Sequence, residues 1–331
     1  MNENLPKMRL AWATAGLLVL SCGAATDDVA KLREKWEARP YMQTDSVGAP
    51  PAKSVTIPLH APRELRENSA AAMSVAQAGV FFTINDSGND PLLFALDTTG
   101  ADRGVWRVLG ARNVDWESAA IAHCGAGASQ WCVFIGDTGD NDARYPSRDI
   151  YRVPEPVANH TRGAVPAERL RYTYPDSPHD VEAMYVAPNG DVLLITKRPM
   201  SDAVPRLRPA LVFRLPAAAW GAKSVVAERV DSLPIVPGSA VLRLITDASL
   251  SPDGRHLAVR TYAQTYIFAT DPLTGRVNHA VPPAICNIAS LGEPQGEGIT
   301  WASNDGRLVF TSEGTTVPIH LANCPLPGVK P

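Results

Sequence analysis

"WESAAIAHCGAGASQWCVFIGDTG", residues 116 to 139, reads as two apolar strands joined by a turn of small residues. The first strand carries an acid, Glu117, at its second position, and the second ends in Gly-Asp-Thr-Gly. The same order recurs along the chain. First strands read SAAAMSVA (69 to 76), WESAAIAH (116 to 123), VEAMYVAP (181 to 188), DASLSPDG (247 to 254) and EGITWAS (297 to 303). Their partners read VFFTINDSG, WCVFIGDTG, DVLLITKRP, HLAVRTYA and RLVFTSEG, and third strands follow in LLFALDT, DIYRVPE, ALVFRLP, QTYIFAT and VPIHLA. Modules starting at Ser69, Trp116, Val181, Asp247 and Glu297 are spaced 47 to 66 residues apart. Such a period, with four strands to a unit, predicts an all-β fold, a β-propeller of four-stranded antiparallel blades. A β-sandwich does not account for five copies of one hairpin. The last module lacks a fourth strand, and SVTIPLH (54 to 60) is expected to supply it and close the ring, removing both sheet edges. Five blades is the direct count. Six stays open, because 157 to 180 and 220 to 246 are long enough to hide further strands.

In an antiparallel pair the end of the second strand lies beside the start of the first, so both places share one rim of the propeller. The polar residues fall there: Asn68, Ser69, Asp115, Glu117, His179, Asp180, Glu182, Thr246, Asp247 and Glu297 at first-strand starts. Asn85, Asp86, Asp137, Asp140, Asn141, Lys197, Arg198, Arg260, Tyr262 and Glu313 mark second-strand ends. Carboxylates crowded at a channel mouth repel one another and are costly to keep ionised without a cation. Calcium, which takes six to eight oxygens in flexible geometry, fits that chemistry, with Ser69, Glu117, Glu182, Asp247 and Glu297 as ligands, one per blade. Asp137, with Asp140 and Asn141 in GDTGDN, is a further metal candidate, although the full calcium-loop pattern is lacking. The competing reading makes these acids caps on strand ends and on backbone amides.

Lys197, Arg198, Arg260 and Tyr262 are the candidate ligand contacts, the cations either pairing with mouth acids or holding an anionic group. Asp137, Glu182 and His179 are the candidates for acid-base work. No G-x-S-x-G elbow, H-E-x-x-H helix or phosphate-binding loop occurs, which disfavours serine hydrolases, zincins and nucleotide motors. Two classes of function remain. One is a calcium-stabilised propeller that binds a ligand or protein partner at its mouth. The other is a metal-dependent hydrolase of phosphate esters or related secreted metabolites.

The ends of the chain speak to location. Lys7 and Arg9 precede an apolar run, Leu10 to Leu20, too short to span a membrane but suited to a signal peptide over residues 1 to 21. Val-Leu-Ser-Cys at 19 to 22 resembles the lipobox of bacterial lipoproteins, in which the cysteine, here Cys22, is lipidated. Gly23 after it favours the outer membrane over inner-membrane retention. Residues 22 to 53 are expected to tether the lipid to a propeller over 54 to 331. Losing Lys7, Arg9 and Glu3 from the 31 basic and 34 acidic residues leaves 29 against 33, so bulk charge suggests no nucleic acid. The lipid is the expected membrane contact, and a monomer is expected. Export permits disulfides, and Cys124, Cys132, Cys286 and Cys324 form an even set. Cys124 with Cys132 would close a hairpin turn, and Cys286 with Cys324 would pin the C-terminal tail. No C-x2-C knuckle speaks for zinc.

The succession ENSAAAMSVA, FTINDSGND, NVDWESAAIA, GDTGDN, YRVPEP, HDVEAM, ITDASLSPDG, VRTY and QGEGITW resembles a family of uncharacterised bacterial secreted propellers of WD40-like, NHL-like or TolB-like kind. That resemblance covers about residues 60 to 315 and implies the fold. The sequence departs from the family pattern at Ser69-Ala70 and at Ser118. A looser similarity links Ser69, Glu117, Glu182 and Glu297 to the calcium-dependent apyrases, five-bladed propellers whose central calcium is held by Ser and Glu residues. In that layout Asp247 stands where a serine is expected.

Overall fold

The structure is a computed structural model describing residues 48–197, 200–201, 204–207, 209–235 and 244–328, all within one unit, Tyr41–Pro331. The signal segment, Cys22, most of the expected tether and Arg198 lie outside the described residues. Strand β1 (Lys53–Ile57) leads into blade 1, built of β2 (Ala72–Met73), β3 (Val80–Ile84), β4 (Leu92–Asp97) and β5 (Asp102–Leu109). Blade 2 holds β6 (Trp116–His123), β7 (Trp131–Asp137), β8 (Arg148–Pro154) and, after β9 (Thr161–Pro166), β10 (Glu168–Thr173). Blade 3 opens with β11 (Val181–Val186) and β12 (Val192–Thr196), followed by a small separate hairpin, β13 (Met200–Ser201) and β14 (Val204–Leu207). It is completed by β15 (Ala210–Leu215) and, beyond the short β16 (Val225–Val226), β17 (Glu228–Leu233). Blade 4 is β18 (Ile245–Leu250), β19 (His256–Thr261), β20 (Gln264–Ala269) and β21 (Ala284–Asn287). Blade 5 is β22 (Gly296–Trp301), β23 (Arg307–Ser312) and β24 (Ile319–Asn323), with β1 as its fourth strand.

Why these stretches form blades is visible in β3, Val-Phe-Phe-Thr-Ile. Successive side chains point to opposite faces of a sheet, and a blade has a neighbour on each face. Val80, Phe82 and Ile84 therefore pack with Trp116, Val133 and Tyr151 of blade 2. Phe81, on the other face, packs with Val309, Ile319 and Leu321 of blade 5. Further clusters fill the 2/3, 3/4 and 4/5 junctions, so five apolar cores lie between five blades. Burial on both faces is what makes the second strands read as unbroken apolar runs rather than alternating ones.

β1 closes the ring as expected, over Lys53–Ile57, antiparallel to β24 from Lys53 opposite Asn323 to Ile57 opposite Ile319. The propeller engages the chain a little before residue 54. Ala49 bridges Cys286, and its carbonyl accepts from Asn287 N at 2.8 Å, so these residues of the expected tether lie along β21. The two long stretches do contain strands, but they build no sixth blade. β10 and β17 are the fourth strands of blades 2 and 3, while β9 adds parallel to β5 and β16 adds parallel to β10. Each fifth strand thus covers an outer edge that would otherwise present open hydrogen-bonding groups. Both expected disulfides are present, Cys124–Cys132 across the β6–β7 turn and Cys286–Cys324 between blades 4 and 5. Among the described residues no helix is long and apolar enough to cross a membrane.

Candidate functional site: an acidic mouth built from bulges

Four of the inner strands carry one extra residue at the same end. Pairing with the second strand shifts register between Trp116 and Ser118, Val181 and Ala183, Ile245 and Asp247, and Gly296 and Gly298. Blade 1 does the same, since Asn68 bridges Asn85 while Ala72 pairs with Phe82, four steps against three. A bulge leaves one residue out of the ladder and re-aims its side chain. The residues so released are Glu117, Glu182, Thr246 and Glu297, with Ser69 in the equivalent place after Asn68. Their exposures are 6, 2, 0, 4 and 2 % respectively.

This register corrects one expected ligand. Thr246, not Asp247, holds the blade 4 position, and a one-residue shift along a strand puts a side chain on the other face. Asp247 accepts from Ile299 N at 2.8 Å, Ala71 N at 3.3 Å and Ala248 N at 2.8 Å. Its carboxylate therefore stitches blades 1, 4 and 5 together, which is the strand-capping alternative. The Thr246 hydroxyl is buried without a hydrogen-bond partner, as is Oε2 of Glu297.

Ser69 Oγ donates to Glu117 Oε2 at 2.7 Å, Lys197 Nζ donates to Glu182 Oε1 at 2.5 Å, and Tyr262 OH donates to Glu297 Oε1 at 3.1 Å. Burial pushes the Glu117 carboxyl well above its ordinary range, and the charges of Glu182, Asp86 and Asp115 add to the shift. Glu182 is raised too, by burial first and then by Asp180 and Glu297, with Lys197 opposing. Burial alone would lower the Lys197 ammonium, yet the Glu182 charge and hydrogen bond hold it above the usual lysine value. Three buried glutamates thus share one lysine, an arrangement that favours either a retained proton or an added cation.

At the rim, carboxylate oxygens of Asp86, Asp115 and Glu117 all lie within 4.8 Å of one another. Asp115 is pushed up to about 7 by burial and by the charges of Asp86, Asp180 and Asp137, against Arg148. Glu313 also rises to about 7, through burial, Glu297, Asp86 and Glu67. Gly139 lets the GDTGDN loop pass against this triad: a Cβ there would sit 2.6 Å from Asp115 Cγ and 2.7 Å from Glu117 Cγ. Asp86 was legible as a mouth residue but not as a partner of Asp115 and Glu117, because it follows β3 of blade 1 whereas they open β6 of blade 2.

The other expected residues have structural employment. Asp137 accepts from Asp115 N at 2.8 Å and from Arg148 Nη2 at 3.0 Å, and burial outweighs that cation to raise it to about 6. Asp140 accepts from Arg144 N and Tyr145 N while its own amide donates to Asp180 Oδ1 at 2.8 Å, Thr138 Oγ1 donates to the Val181 carbonyl at 2.8 Å, and Asn141 is exposed, so the GDTGDN loop is tied to blade 3 and the Asp140 carboxylate is engaged by backbone amides. Arg260 is fully buried, donating to the carbonyls of Gly298 at 2.6 Å and Thr311 at 3.0 Å and pairing with Glu293. It is a tie between blades 4 and 5, not an anion clamp at the mouth. A Cβ at Gly296 would overlap its guanidinium, which explains the glycine beside Glu297. His179 bonds Asp176 at 2.9 Å and packs against the rings of Tyr174 and Phe213.

Fold and site together define a five-bladed β-propeller with a bulge-built acidic mouth. No protein-family model matches the chain, and no curated protein sequence does. Solved structures similar to it include virginiamycin B lyase from Staphylococcus aureus, at 13 % identity over 78 % of this chain and 67 % of that one, with a TM-score of 0.38. Glutaminyl cyclase from Myxococcus xanthus is 11 % identical over 82 % of this chain and 95 % of its own, with a TM-score of 0.43. A gluconolactonase from Xanthomonas campestris is 16 % identical over 88 % and 90 %, with a TM-score of 0.39. These likenesses are likenesses of fold.

Proposed function

We propose that the chain is an exported, lipid-anchored propeller that holds a hard divalent cation, calcium, at its acidic mouth and uses that end to bind a ligand or protein partner. The observation that carries the reading is the convergence of Asp86, Asp115 and Glu117 oxygens within 4.8 Å, from two blades. Oxygen donors of this kind suit calcium, which tolerates irregular geometry. Ser69, bonded to Glu117, and the ring glutamates Glu182 and Glu297 with Lys197 would set the charge around it. A bound cation would relieve the repulsion that raises Asp115 and Glu117, and would offer open coordination to an oxygen-bearing ligand. Anchoring through Cys22 at the outer membrane belongs to the same proposal and rests on the lipobox-like sequence.

A second reading, hydrolysis assisted by the cation, is favoured by one observation. Asp115, at about 7, could retain or release a proton near neutral pH at the mouth. With Arg260 buried and Arg198 outside the described residues, Lys197 is the described cation this reading retains, and Glu182 already holds it.

Thermal melting separates these ideas from a purely structural role for the acids. Calcium at about 100 times its dissociation constant should stabilise the fold by roughly 2.7 kcal/mol. Glu117→Gln should lose most of that response while melting close to wild type in EDTA. A wild-type melting curve indifferent to calcium and EDTA, with no metal by elemental analysis, would overturn the cation site. Turnover of a phosphoester panel that requires calcium would favour the second reading over the first.

A further inference from the structure

The channel has another end. Beyond the ring of Ser69, Glu117, Glu182, Thr246 and Glu297, each inner strand runs on toward the opposite face, and there the five strands enclose a cavity of about 450 Å³. It begins two to four residues past the ring, at Ala72, Ala119, Val186, Ala248 and Thr300. Its chemistry is the reverse of the mouth's. Alanines, glycines and prolines, with Met73, Val75, Ile121, Val186 and Leu250, make most of the wall, and no lysine, arginine, aspartate or glutamate among the described residues lines it. At its border Val75 is 49 % exposed, and the rings of His123 and Trp131 stack with centroids 4.0 Å apart. Near the ring-side end of the wall, two hydroxyls approach each other. Ser249 Oγ and Thr300 Oγ1 are 3.4 Å apart, too far for a strong hydrogen bond, and Thr300 is already an acceptor for Met73 N at 2.8 Å.

A volume of this size, walled by apolar groups with a few polar atoms in fixed places, is the form that small-molecule sites take. The absence of charge along the wall decides the class of occupant. An ionised ligand would leave water for a low-dielectric chamber that offers it no counter-charge, which is costly. A neutral apolar molecule would release ordered water and cover Val75. The Ser249 hydroxyl, whose one side-chain contact is that long one, can donate to a single oxygen on the guest. We propose that this far end of the channel is a second binding site, separate from the acidic mouth and independent of its cation, for a neutral, mainly apolar small molecule carrying a hydrogen-bonding oxygen or nitrogen.

The test uses the full chain and a neutral fluorescent probe, N-phenyl-1-naphthylamine, with its anionic sulfonate relative 8-anilino-1-naphthalenesulfonate as the charged comparison. Saturable enhancement of the neutral probe is expected, equal in calcium and in EDTA, with the anionic probe at least tenfold weaker. Val75→Trp, at the exposed border, should weaken the neutral probe at least tenfold while leaving the melting temperature and the calcium response as in wild type. Ser249→Phe should do the same from inside the cavity; if it fails to fold, Val75→Trp decides alone. The proposal is overturned by absence of saturable binding, by binding that Val75→Trp leaves unchanged, by equal affinity for the anionic probe, or by a requirement for calcium. Its failure would leave the cation site at the mouth untouched, since that site is read by the calcium-dependent melting curve.

Discussion

Thr246 and Asp247 are adjacent in sequence, yet the bulge in β18 sends the first to the ring position and leaves the second to accept three backbone amides from three blades. Their variants should therefore part company. Asp247→Ala strands buried amides and should cost at least about 2 kcal/mol in chemical denaturation, with the calcium response of the folded protein retained. Thr246→Val removes a buried hydroxyl that has no partner, so the EDTA melting temperature should hold or rise, and any loss should appear in calcium affinity. Asp115, with Asp137 and Glu313, supplies a pH dependence. Its folded-state value of about 7 lies above the ordinary 3.8, so the unfolded chain gives up its proton first as pH rises. Stability that is fully present below about pH 4 is then lost toward pH 7. In EDTA the melting temperature should fall across that window, calcium should oppose the fall near neutrality, and Asp115→Asn should make the fall shallower, with Asp137 at about 6 and Glu313 at about 7 carrying the remainder. A flat wild-type profile in EDTA would show that Asp115 titrates normally.

At the scale of elements, the ring is held shut by β1 and by the bond between Cys286 of β21 and Cys324 just after β24. The sequence separation is 38 residues for this bridge and 8 for Cys124–Cys132. Loop-closure entropy makes the longer one worth roughly 4 kcal/mol and the shorter roughly 2.5 kcal/mol. Replacing both Cys286 and Cys324 by serine should accordingly lower the denaturation free energy more than replacing Cys124 and Cys132. The opposite order, in urea melts of the two double variants, would mean that native strain rather than chain entropy governs these bridges. The hairpins themselves were plain in the sequence, because apolar second strands are buried on both faces by neighbouring blades. β9 and β16 were not. Val-Val at 225 and 226 and Thr-Arg-Gly-Ala-Val-Pro at 161 to 166 carry little strand signal, and they become strands only because an open blade edge lies beside them.

For the molecule as a whole, the proposed anchor predicts that Cys22→Ala abolishes membrane partition while the far-ultraviolet spectrum and melting temperature of the propeller are kept. Retention of that variant in the membrane fraction would rule out lipidation at Cys22. By itself the sequence determined the all-β propeller, its closing strand and its two disulfides. Each follows from apolar hairpins repeated at a spacing of 47 to 66 residues, and from the placing of one cysteine pair in a single hairpin and the other between the last blades and the C-terminal tail. Only the tertiary structure decided what the mouth is made of. A bulge is a backbone event with no residue type of its own, so the one-residue difference between Thr246 and Asp247 could not be read from the string. The meeting of Asp86 with Asp115 and Glu117, the burial of Arg260 against Gly298 and Thr311, and the uncharged far chamber all depend on how one blade seats against the next. Those contacts join residues tens to hundreds of positions apart, and no local pattern encodes them.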